Sequence, residues 1–273
     1  SQLKLLRFLG SGAFGEVYEG QLKTEDSEEP QRVAIKSLRK GASEFAELLQ
    51  EAQLMSNFKH ENIVRLVGIC FDTEPISLIM EHMEAGDLLS YLRAARATST
   101  LSLSELLAMC IDVANGCSYL EDMHFVHRDL ACRNCLVTES TGSTDRRRTV
   151  KIGDFGLARD IYKSDYYRKG EGLLPVRWMS PESLVDGLFT TQSDVWAFGV
   201  LCWEILTLGQ QPYAARNNFE VLAHVKEGGR LQQPPMCTEK LYSLLLLCWR
   251  TDPWERPSFR RCYNTLHAIS TDL

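Results

Sequence analysis

The sequence predicts an α+β fold made of two unequal lobes. Residues 3–38 alternate apolar with polar positions and are rich in Val, Ile and Phe, a pattern that favours β-strands. After the turn at residues 84–87, apolar residues recur at helical spacing through most of the remaining chain. We therefore expect a small strand-rich lobe over residues 1–83 and a larger, mainly helical lobe over residues 84–273.

The first lobe is predicted to be an antiparallel meander that carries one helix. The strand-like runs EVYEGQL and RVAIKSL are separated by the polar break KTEDSEEPQ, and the runs IVRLVGICF and ISLIMEHM follow later. Between these pairs, SEFAELLQEAQLMSNF has the spacing of a helix, with Ser43 placed to cap it. The apolar residues at that spacing are Phe45, Leu48, Leu49, Ala52 and Met55.

The second lobe is predicted to be mainly helical. The helix-like runs are LLSYLRAARA, LSELLAMCIDVANGCSYLEDM, SDVWAFGVLCWEILTLG, FEVLAHVKEG and EKLYSLLLLCWRTDP. The polar runs ATSTLSLS and TESTGSTDRRRT indicate surface loops rather than linkers, so both lobes belong to one domain. Ligands favour the junction between two lobes, which places a candidate cleft near residues 82–86.

Composition limits the classes of function. The chain has 273 residues and a net charge of −6, so a general nucleic-acid-binding surface is not expected. Nine cysteines scattered through apolar stretches indicate reduced, buried thiols, as in a cytosolic compartment. Cys132 and Cys135 have no second ligand pair downstream, which argues against zinc. No apolar run reaches the about 18 residues needed to span a bilayer, and no signal peptide opens the chain.

The stretch GSGAFGEV at residues 10–17 fits the pattern G-x-G-x-x-G-x-V. A dinucleotide site would need a helix directly after the glycines, yet the next run alternates like a strand. A P-loop would need Gly-Lys-Ser/Thr, and Gly15 is followed by Glu16. The remaining interpretation is a glycine-rich hairpin that folds over phosphate groups and offers backbone N–H groups to their oxygens.

Lys36 ends the run VAIK, in a strand whose apolar neighbours are expected to be buried. A buried lysine is costly unless it is paired, and the alternative is a strand-end lysine that reaches water. The helix that follows carries Glu44, Glu47 and Glu51, of which Glu51 is the best-placed partner. A Lys36–Glu51 ion pair would hold the ammonium group against phosphate oxygens.

The stretch FVHRDLACRNCLV crowds charged and amide side chains between apolar ends. Alone it could be a solvated turn. Further along, KIGDFGLAR places Asp154 directly after an apolar strand. Asn134 and Asp154 together would supply hard oxygen ligands for Mg²⁺ that carries a triphosphate. Asp129 would then be left to accept the proton of an incoming hydroxyl group.

These motifs occur together in a fixed order. The glycine hairpin, VAIK, the acidic helix, HRDL…N and DFG follow one another as in the protein-kinase signature set. The sequence therefore predicts a bilobal protein-kinase fold.

From Leu3 to about Ile269 the chain resembles the catalytic domain of the Sevenless/Ros group of receptor tyrosine kinases. Serine/threonine kinases place Lys two residues after the catalytic Asp, whereas this chain has Ala131 there and Arg133 two residues later. Pro175 and its neighbours in LPVRWMSPE would form an apolar platform for a phenol ring. The resemblance is carried by SGAFGEVYEG, DFGLARDIYKSDYYRKGEG, LLPVRWMSPESLVDGLFTTQSDVWAFGVL and EILTLGQQPY.

The resemblance implies that the chain transfers the γ-phosphate of ATP to protein tyrosine hydroxyls with Mg²⁺, or Mn²⁺ in its place. The implied catalytic residues are Lys36, Glu51, Asp129, Arg133 and Asn134, and the implied metal ligands are Asn134 and Asp154. The implied ATP-binding residues are Leu9, Gly10, Ser11, Gly12, Ala13, Phe14, Gly15, Glu16, Val17, Ala34, Lys36, Met80, Glu81, Met83, Asp87 and Leu136.

The resemblance also implies regulatory and structural features. Tyr162, Tyr166 and Tyr167 match the autophosphorylation pattern Y-x-x-x-Y-Y. Glu182 and Arg256 would form a buried ion pair. Cys132 stands where relatives have Ala. Because Cys is also small, the change is expected to be tolerated, and the alternative is a reactive thiol near the cleft.

The implied partners are protein tyrosine substrates, adaptor proteins that read phosphotyrosine, and a second copy of the chain, with no nucleic acid. The implied location is the cytoplasmic side of a single-pass plasma-membrane receptor that signals in cell fate and differentiation. The alternative is a pseudokinase-like signalling scaffold. Such modules typically lose the Lys, the catalytic Asp or the metal Asp, and Lys36, Asp129 and Asp154 are all present.

Overall fold

The computed structural model describes residues 2–12, 15–24, 29–38, 49, 52–72, 76–98, 101–138, 148–153, 167–169 and 172–273. Five strands form one antiparallel sheet in the order β1-β2-β3-β5-β4. The predicted meander of the first three strands is confirmed. The strands are β1 (Gln2–Gly12), β2 (Gly15–Lys23), β3 (Gln31–Leu38), β4 (Leu66–Cys70) and β5 (Ser77–Glu81).

Two small apolar clusters support this sheet. In one, Val33 and Ile35 of β3 are buried together with Leu22 and Ile79. In the other, Ala52 packs with residues of β4 and β5. Ala52 lies in α1 (52–56), where Met55 is also buried, so both residues lie on the predicted apolar side of the helix. The predicted cap Ser43 and the positions Phe45 and Leu48 lie outside the described residues.

Seven further helices follow the sheet in the described part of the chain. They include the five that the sequence predicts, together with α4 and α8, which it did not. The helices are α2 (Leu88–Thr98), α3 (Leu103–Asp122), α4 (Pro181–Asp186), α5 (Thr191–Leu206), α6 (Asn218–Lys226), α7 (Glu239–Cys248) and α8 (Phe259–Thr271).

The helix ends have local causes. At the start of α3, the Glu105 backbone N–H donates to Ser102 Oγ at 3.3 Å and the Ser102 N–H donates back to the Glu105 carboxylate at 2.8 Å, which forms a capping box. Helix α5 ends three residues earlier than predicted, because Leu208 and Gly209 adopt positive φ angles of 54° and 76°. Beyond α7, Pro253 opens a separate 3₁₀ turn and cannot continue a helix.

Two short hairpins lie between the helices. Strands β6 (Cys135–Thr138) and β7 (Thr149–Ile152) pair antiparallel, as do β8 (Tyr167–Lys169) and β9 (Gly172–Leu174). The Val64 N–H donates to the Ile152 carbonyl at 2.9 Å, and the Ile152 N–H donates to the Asn62 carbonyl at 2.8 Å. These bonds tie the segment before β4 to β7.

Helix α5 lies at the centre of the helical part. Every residue from Ser193 to Leu206 is buried, and the ring of Trp196 is fully enclosed. The predicted ion pair is confirmed: the Arg256 guanidinium donates to both carboxylate oxygens of Glu182, at 2.6 and 2.8 Å. Burial raises the pKa of Glu182, but the hydrogen bonds and charge of Arg256 outweigh it and leave the pKa below its ordinary value.

The structure shows the state of the cysteines and the length of the described helices. All nine cysteines are free, and eight of them are buried, as predicted. Among the described residues, no group of three or more His, Cys, Asp or Glu side chains is placed to hold a metal ion. No helix in the described ranges is long and apolar enough to cross a membrane.

Gly199 provides a test of this packing. A Cβ atom at Gly199 would lie 2.6 Å from the Trp249 indole nitrogen and 2.9 Å from the Cys248 Cβ. Gly199→Ala should therefore lower the free energy of unfolding by about 1–3 kcal/mol, although alanine by itself favours a helix by about 1 kcal/mol. Urea denaturation of the purified chain measures this change.

Gly68→Ala is the matched control, because nothing lies within 4 Å of a Cβ at that position. Equal stability of Gly199→Ala and wild type would show that the α5–α7 contact is looser than the structure has it.

Candidate active site

A buried carboxylate on α5 holds the loop that contains Asp129. Asp194 lies in the first turn of α5 and is 4% exposed. Its two oxygens accept the backbone N–H groups of His127, at 2.7 Å, and of Arg128, at 3.0 Å. Arg128 has a φ of 73°, which is uncommon for a residue with a side chain. The two hydrogen bonds to one carboxylate therefore fix an otherwise unfavourable backbone shape.

The surroundings of Asp194 change its acidity. Burial raises the pKa of Asp194 to about 6, from an ordinary value of 3.8. His127, its backbone N–H and that of Arg128 act in the opposite direction, since each favours the ionised form.

Asp129 projects from the loop that Asp194 holds, and it is 6% exposed. Arg133 Nη2 donates to Asp129 Oδ1 at 2.8 Å. The Asp129 backbone N–H donates to His127 Nδ1 at 3.2 Å, which leaves His127 Nε2 to donate to the Gly153 carbonyl at 3.3 Å. The Asp129 carboxylate is thus fixed from its side chain and from its backbone.

Asn134 completes the 3₁₀ turn Cys132–Asn134 and is 2% exposed. Its Nδ2 donates to the Asp129 carbonyl at 2.7 Å. Its Oδ1 is buried and has no hydrogen-bond partner among the described residues. A buried carbonyl oxygen without a donor is costly, and it is also the kind of ligand that Mg²⁺ takes. This atom therefore fits a metal ligand.

The second predicted metal ligand follows Gly153 in the chain. The Gly153 N–H donates to the Asn134 carbonyl at 2.9 Å, which brings the end of β7 beside the 3₁₀ turn. Asp154 itself lies outside the described residues. Chain order alone places it next to Gly153.

Lys36 is buried two residues before the end of β3, paired with Val17 of β2 and Leu78 of β5. Its burial rules out the alternative in which a strand-end lysine extends into water. Its predicted partner Glu51 lies outside the described residues.

The glycine-rich segment forms the β1–β2 hairpin that the sequence predicted. Leu9 is exposed. The last three backbone pairs between the two strands are Gly10 with Val17, Ser11 with Glu16, and Gly12 with Gly15. Ala13 and Phe14, which follow Gly12 in the chain, lie outside the described residues.

The remaining predicted nucleotide contacts lie where the sheet meets the helices. Ala34 pairs with Met80 across β3 and β5. The Glu81 carboxylate accepts a hydrogen bond from Lys151 Nζ at 2.8 Å. Met83 is buried, and its carbonyl accepts the N–H of Gly86 at 3.1 Å.

Asp87 and Leu136 form an isolated antiparallel bridge. Asp87 Oδ2 also accepts the Ser90 N–H at 2.9 Å at the start of α2, so its carboxylate already has a capping role.

The sequence profile described as "Protein tyrosine and serine/threonine kinase" matches residues 3–266. The chain belongs to this kinase family. Members of the family use ATP and a divalent metal ion to phosphorylate proteins. The protein-kinase fold predicted from the motif order is thereby confirmed.

Curated relatives narrow the resemblance. The kinase is 96% identical to "Protein sevenless" of Drosophila melanogaster and 81% identical to that of Drosophila virilis, in each case over the whole chain. It is 58% identical to the "Tyrosine-protein kinase transforming protein ros" of UR2 avian sarcoma virus, over 98% of this chain and 69% of that protein. The chain spans only 11% of the length of the two sevenless proteins. The predicted resemblance to the Sevenless/Ros group is confirmed.

Next to Asp129 the kinase has a small cavity of about 10 Å³, roughly the space of one water molecule. Its lining combines apolar residues, among them Pro175, Trp178 and Met179, with polar ones, among them Asp194. Pro175 thus lies beside Asp129, and its service as a platform for a phenol ring stays a prediction.

The described residues include one of the three predicted phosphorylation sites. They also include Cys132, whose thiol can be assessed for reactivity. Tyr162 and Tyr166 lie outside the described residues, and Tyr167 opens β8. Cys132 is fully buried, and burial raises the pKa of its thiol well above the ordinary value. Its thiol is therefore protonated and shielded at neutral pH, not reactive.

Two residues at the site, Glu204 and Trp178, were not identified from the sequence. Glu204 accepts hydrogen bonds from the Cys132 backbone and from the Trp178 indole. The guanidinium of Arg133 lies 4.1 Å from the Trp178 ring centroid. In the sequence Glu204 is a single charge within an apolar helix and Trp178 is one more large apolar residue, so neither signals a contact at the site.

Asp194→Asn should change how stability depends on pH. Because the folded-state pKa of Asp194 is raised, its stabilising contribution is fully present below about pH 4 and is lost as pH rises through about 6. As the pH falls from 7 to 4, the free energy of unfolding of wild type should therefore rise by up to about 3 kcal/mol relative to that of the variant. Urea unfolding of both proteins across this range measures the difference.

The quantity to compare is the slope of the unfolding free energy against pH. Its absolute value is not informative, because the Asn side chain leaves one of the two backbone N–H groups, of His127 or Arg128, poorly paired and so destabilises the variant at every pH. Parallel stability curves for the two proteins would contradict the raised pKa.

Proposed function

We propose that the chain is the catalytic domain of a receptor-type protein-tyrosine kinase, which transfers the γ-phosphate of ATP to protein tyrosine hydroxyls. One observation carries the proposal. The Asp129 carboxylate is held by Arg133 at 2.8 Å, beside an Asn134 whose Oδ1 is buried with no hydrogen-bond partner among the described residues. A fixed carboxylate next to a buried amide oxygen that could bind a metal ion suits transfer of a metal-bound phosphate to a hydroxyl group.

Residues 1–83 bind the nucleotide in this proposal. The β1–β2 hairpin from Gly10 to Val17 covers the phosphates with its backbone N–H groups, and Lys36 binds their oxygens. The adenine ring lies between Val17, Ala34 and Leu136, with Met80 behind it and the backbone of Glu81 and Met83 beside it. Asp87 contacts the ribose. These roles rest on the family resemblance and on the positions of these residues around one junction.

Residues 84–273 supply the metal ligands and the base. Asn134 Oδ1 and Asp154 would hold Mg²⁺, or Mn²⁺ in its place, which neutralises charge on the phosphates when bound. Asp129 accepts the proton of the tyrosine hydroxyl as the phenolic oxygen bonds to the γ-phosphorus and the bond to ADP breaks. Arg133 keeps the Asp129 carboxylate oriented throughout. The chain thus contributes mainly position and charge.

The residues beside Asp129 support tyrosine as the acceptor. Pro175, Trp178 and Met179 line the same small cavity as Asp129. Apolar side chains at these positions would form a platform for a phenol ring. A serine side chain is shorter and could not rest on this platform while its oxygen reaches Asp129.

The wider biology is proposed from the names of the relatives. The chain would lie on the cytoplasmic side of a plasma-membrane receptor that signals in cell fate and differentiation. A second copy would phosphorylate Tyr162, Tyr166 and Tyr167, with Tyr166 as the main site. Adaptor proteins that read phosphotyrosine would bind the product. The added negative charge would bind Arg128 and either Arg159 or Arg168, which would order the segment that carries these tyrosines.

A pseudokinase scaffold is the rival. It would bind nucleotide or partners without turnover. Asp129, Asn134 and Lys36 are all present, and all three are buried. That arrangement favours the enzyme.

Asp129→Asn should lower the rate of tyrosine phosphorylation by at least about 100-fold, because the variant loses its general base. ATP binding should persist. The measurement incubates each protein with ATP, Mg²⁺ and a Glu/Tyr copolymer, then detects phosphotyrosine and the intact mass of the kinase. ATP affinity is measured separately by calorimetry.

Asp122→Asn is the matched control, because Asp122 is an exposed carboxylate of α3 paired only at the surface with Arg260. A wild-type rate in Asp129→Asn would refute the assigned base. A wild-type chain that produces no phosphotyrosine would favour the pseudokinase.

Asn134→Ala should weaken the metal site and leave the protein folded. We expect the Mg²⁺ concentration for half-maximal rate to rise by about 10-fold or more, because a direct ligand is lost. Titration of bound Mn²⁺ by electron paramagnetic resonance, with a nucleotide analogue present, measures the same loss without turnover. Asn264→Ala, at an exposed position of α8, is the control. Unchanged metal affinity in Asn134→Ala would remove Asn134 from the metal site.

A further inference from the structure

Glu204 is a buried carboxylate for which the proposed chemistry has no role. It lies in the last turn of α5 and is 1% exposed. Burying a carboxylate costs several kcal/mol before its partners are counted. Its hydrogen bonds therefore show what the residue stabilises.

Glu204 joins two segments that are distant in sequence. Its Oε2 accepts the backbone N–H of Cys132 at 3.0 Å and the indole N–H of Trp178 at 2.9 Å. Cys132 opens the 3₁₀ turn Cys132–Asn134, and Trp178 closes the 3₁₀ turn Val176–Trp178. One oxygen atom thus fixes the distance between the loop of Asp129 and the wall of the adjacent pocket.

The contacts continue from Trp178 to the reacting carboxylate. The Arg133 guanidinium lies over the Trp178 ring, 4.1 Å from its centroid. A cation over a desolvated indole is attracted by the negative face of the ring. Arg133 then donates to Asp129 Oδ1 at 2.8 Å. An unbroken series of contacts runs from Glu204 through Trp178 and Arg133 to Asp129.

We infer that Glu204 is a positioning residue for phosphoryl transfer: through the Trp178 indole and the guanidinium of Arg133, it sets the orientation of the Asp129 carboxylate towards the tyrosine hydroxyl. This inference rests on the proposed function, because it presumes that Asp129 is the base. Trp178 also lines the small cavity beside Asp129, next to the proposed platform for the phenol ring.

The arrangement has a kinetic consequence. The proposed adenine and phosphate contacts lie on the sheet and at Leu136, and none of them is a hydrogen-bond partner of Glu204; of the proposed ATP contacts, only the metal ligand Asn134 shares a turn with such a partner. A misplacement of about 1 Å in a reacting group can cost about 100-fold in rate. Loss of Glu204 should therefore lower kcat towards tyrosine far more than it changes the KM for ATP.

The experiment compares four variants in steady-state assays with ATP, Mg²⁺ and the Glu/Tyr copolymer. Glu204→Met removes the acceptor and keeps the shape, so kcat should fall by about 100-fold. Glu204→Gln keeps an acceptor oxygen and should recover most of that loss. Trp178→Phe keeps a ring for Arg133 but loses the hydrogen bond to a charged acceptor, and its kcat should fall by about 10-fold.

Trp203→Phe is the matched control. Trp203 precedes Glu204 on α5, and its indole donates to the Gln232 carbonyl at 2.8 Å, away from the site. It loses the same ring and the same kind of bond as Trp178→Phe, yet its kcat should stay within about 2-fold of wild type, because the lost partner is neutral and remote. Thermal unfolding and ATP affinity are recorded for all four variants.

Each outcome decides the matter. A fall in kcat for Glu204→Met and Trp178→Phe, with rescue by Gln and an unaffected control, supports the inference. If Glu204→Met does not fold, Trp178→Phe against Trp203→Phe decides. Equal rates in wild type and Trp178→Phe, or an equal fall in both tryptophan variants, overturn it while the proposed function stands. A wild-type protein without phosphotransfer overturns the proposed function, and this inference with it.

Discussion

The geometry of the site depends on two hydrogen bonds to one buried carboxylate. Asp194 accepts the backbone N–H groups of His127 and Arg128, and Arg128 is thereby kept at a φ of 73°. Such a backbone shape persists only where the surroundings stabilise it. Asp129 is the next residue, so its direction follows from that shape. Because α5 is buried along nearly its whole length, the loop is attached to a helix inside the core of the helical part.

The hairpin β6–β7 connects the loop of Asp129 to the proposed nucleotide contacts. Its first strand begins directly after Asn134, and Leu136 bridges to Asp87 at the start of α2. Its second strand bonds to the segment before β4, and the residue after this strand, Gly153, donates to the Asn134 carbonyl. The proposed adenine contact Leu136 thus lies in this hairpin, and the proposed metal ligand and base lie in the short segment directly before it. Few torsion angles separate these groups, so their relative positions are well determined.

Residues with a local signal could be predicted from the sequence, and those defined by distant contacts could not. Asp129 and Asn134 lie in one short motif, and Lys36 stands out as a cation in an apolar strand, so all three could be found. Glu204 is 72 residues from Cys132 and 26 from Trp178, and its neighbours form an ordinary buried helix. No local pattern marks such a contact. Helix α8 was missed for a different reason: its polar residues obscure the helical spacing of Phe259, Cys262, Leu266 and Ile269, which are buried.

Helix α5 acts as a spacer that holds both ends of the loop around Asp129. Asp194 in its first turn binds residues 127 and 128, and Glu204 in its last turn binds residue 132. Ten residues of helix separate the two carboxylates by about 15 Å. The helix dipole favours a negative charge at the first position and disfavours one at the second. Glu204 is therefore placed against the local electrostatic preference, and only its tertiary partners compensate. A carboxylate kept under these conditions, between the base loop and the pocket wall, indicates that the position of those two segments is what the contact secures.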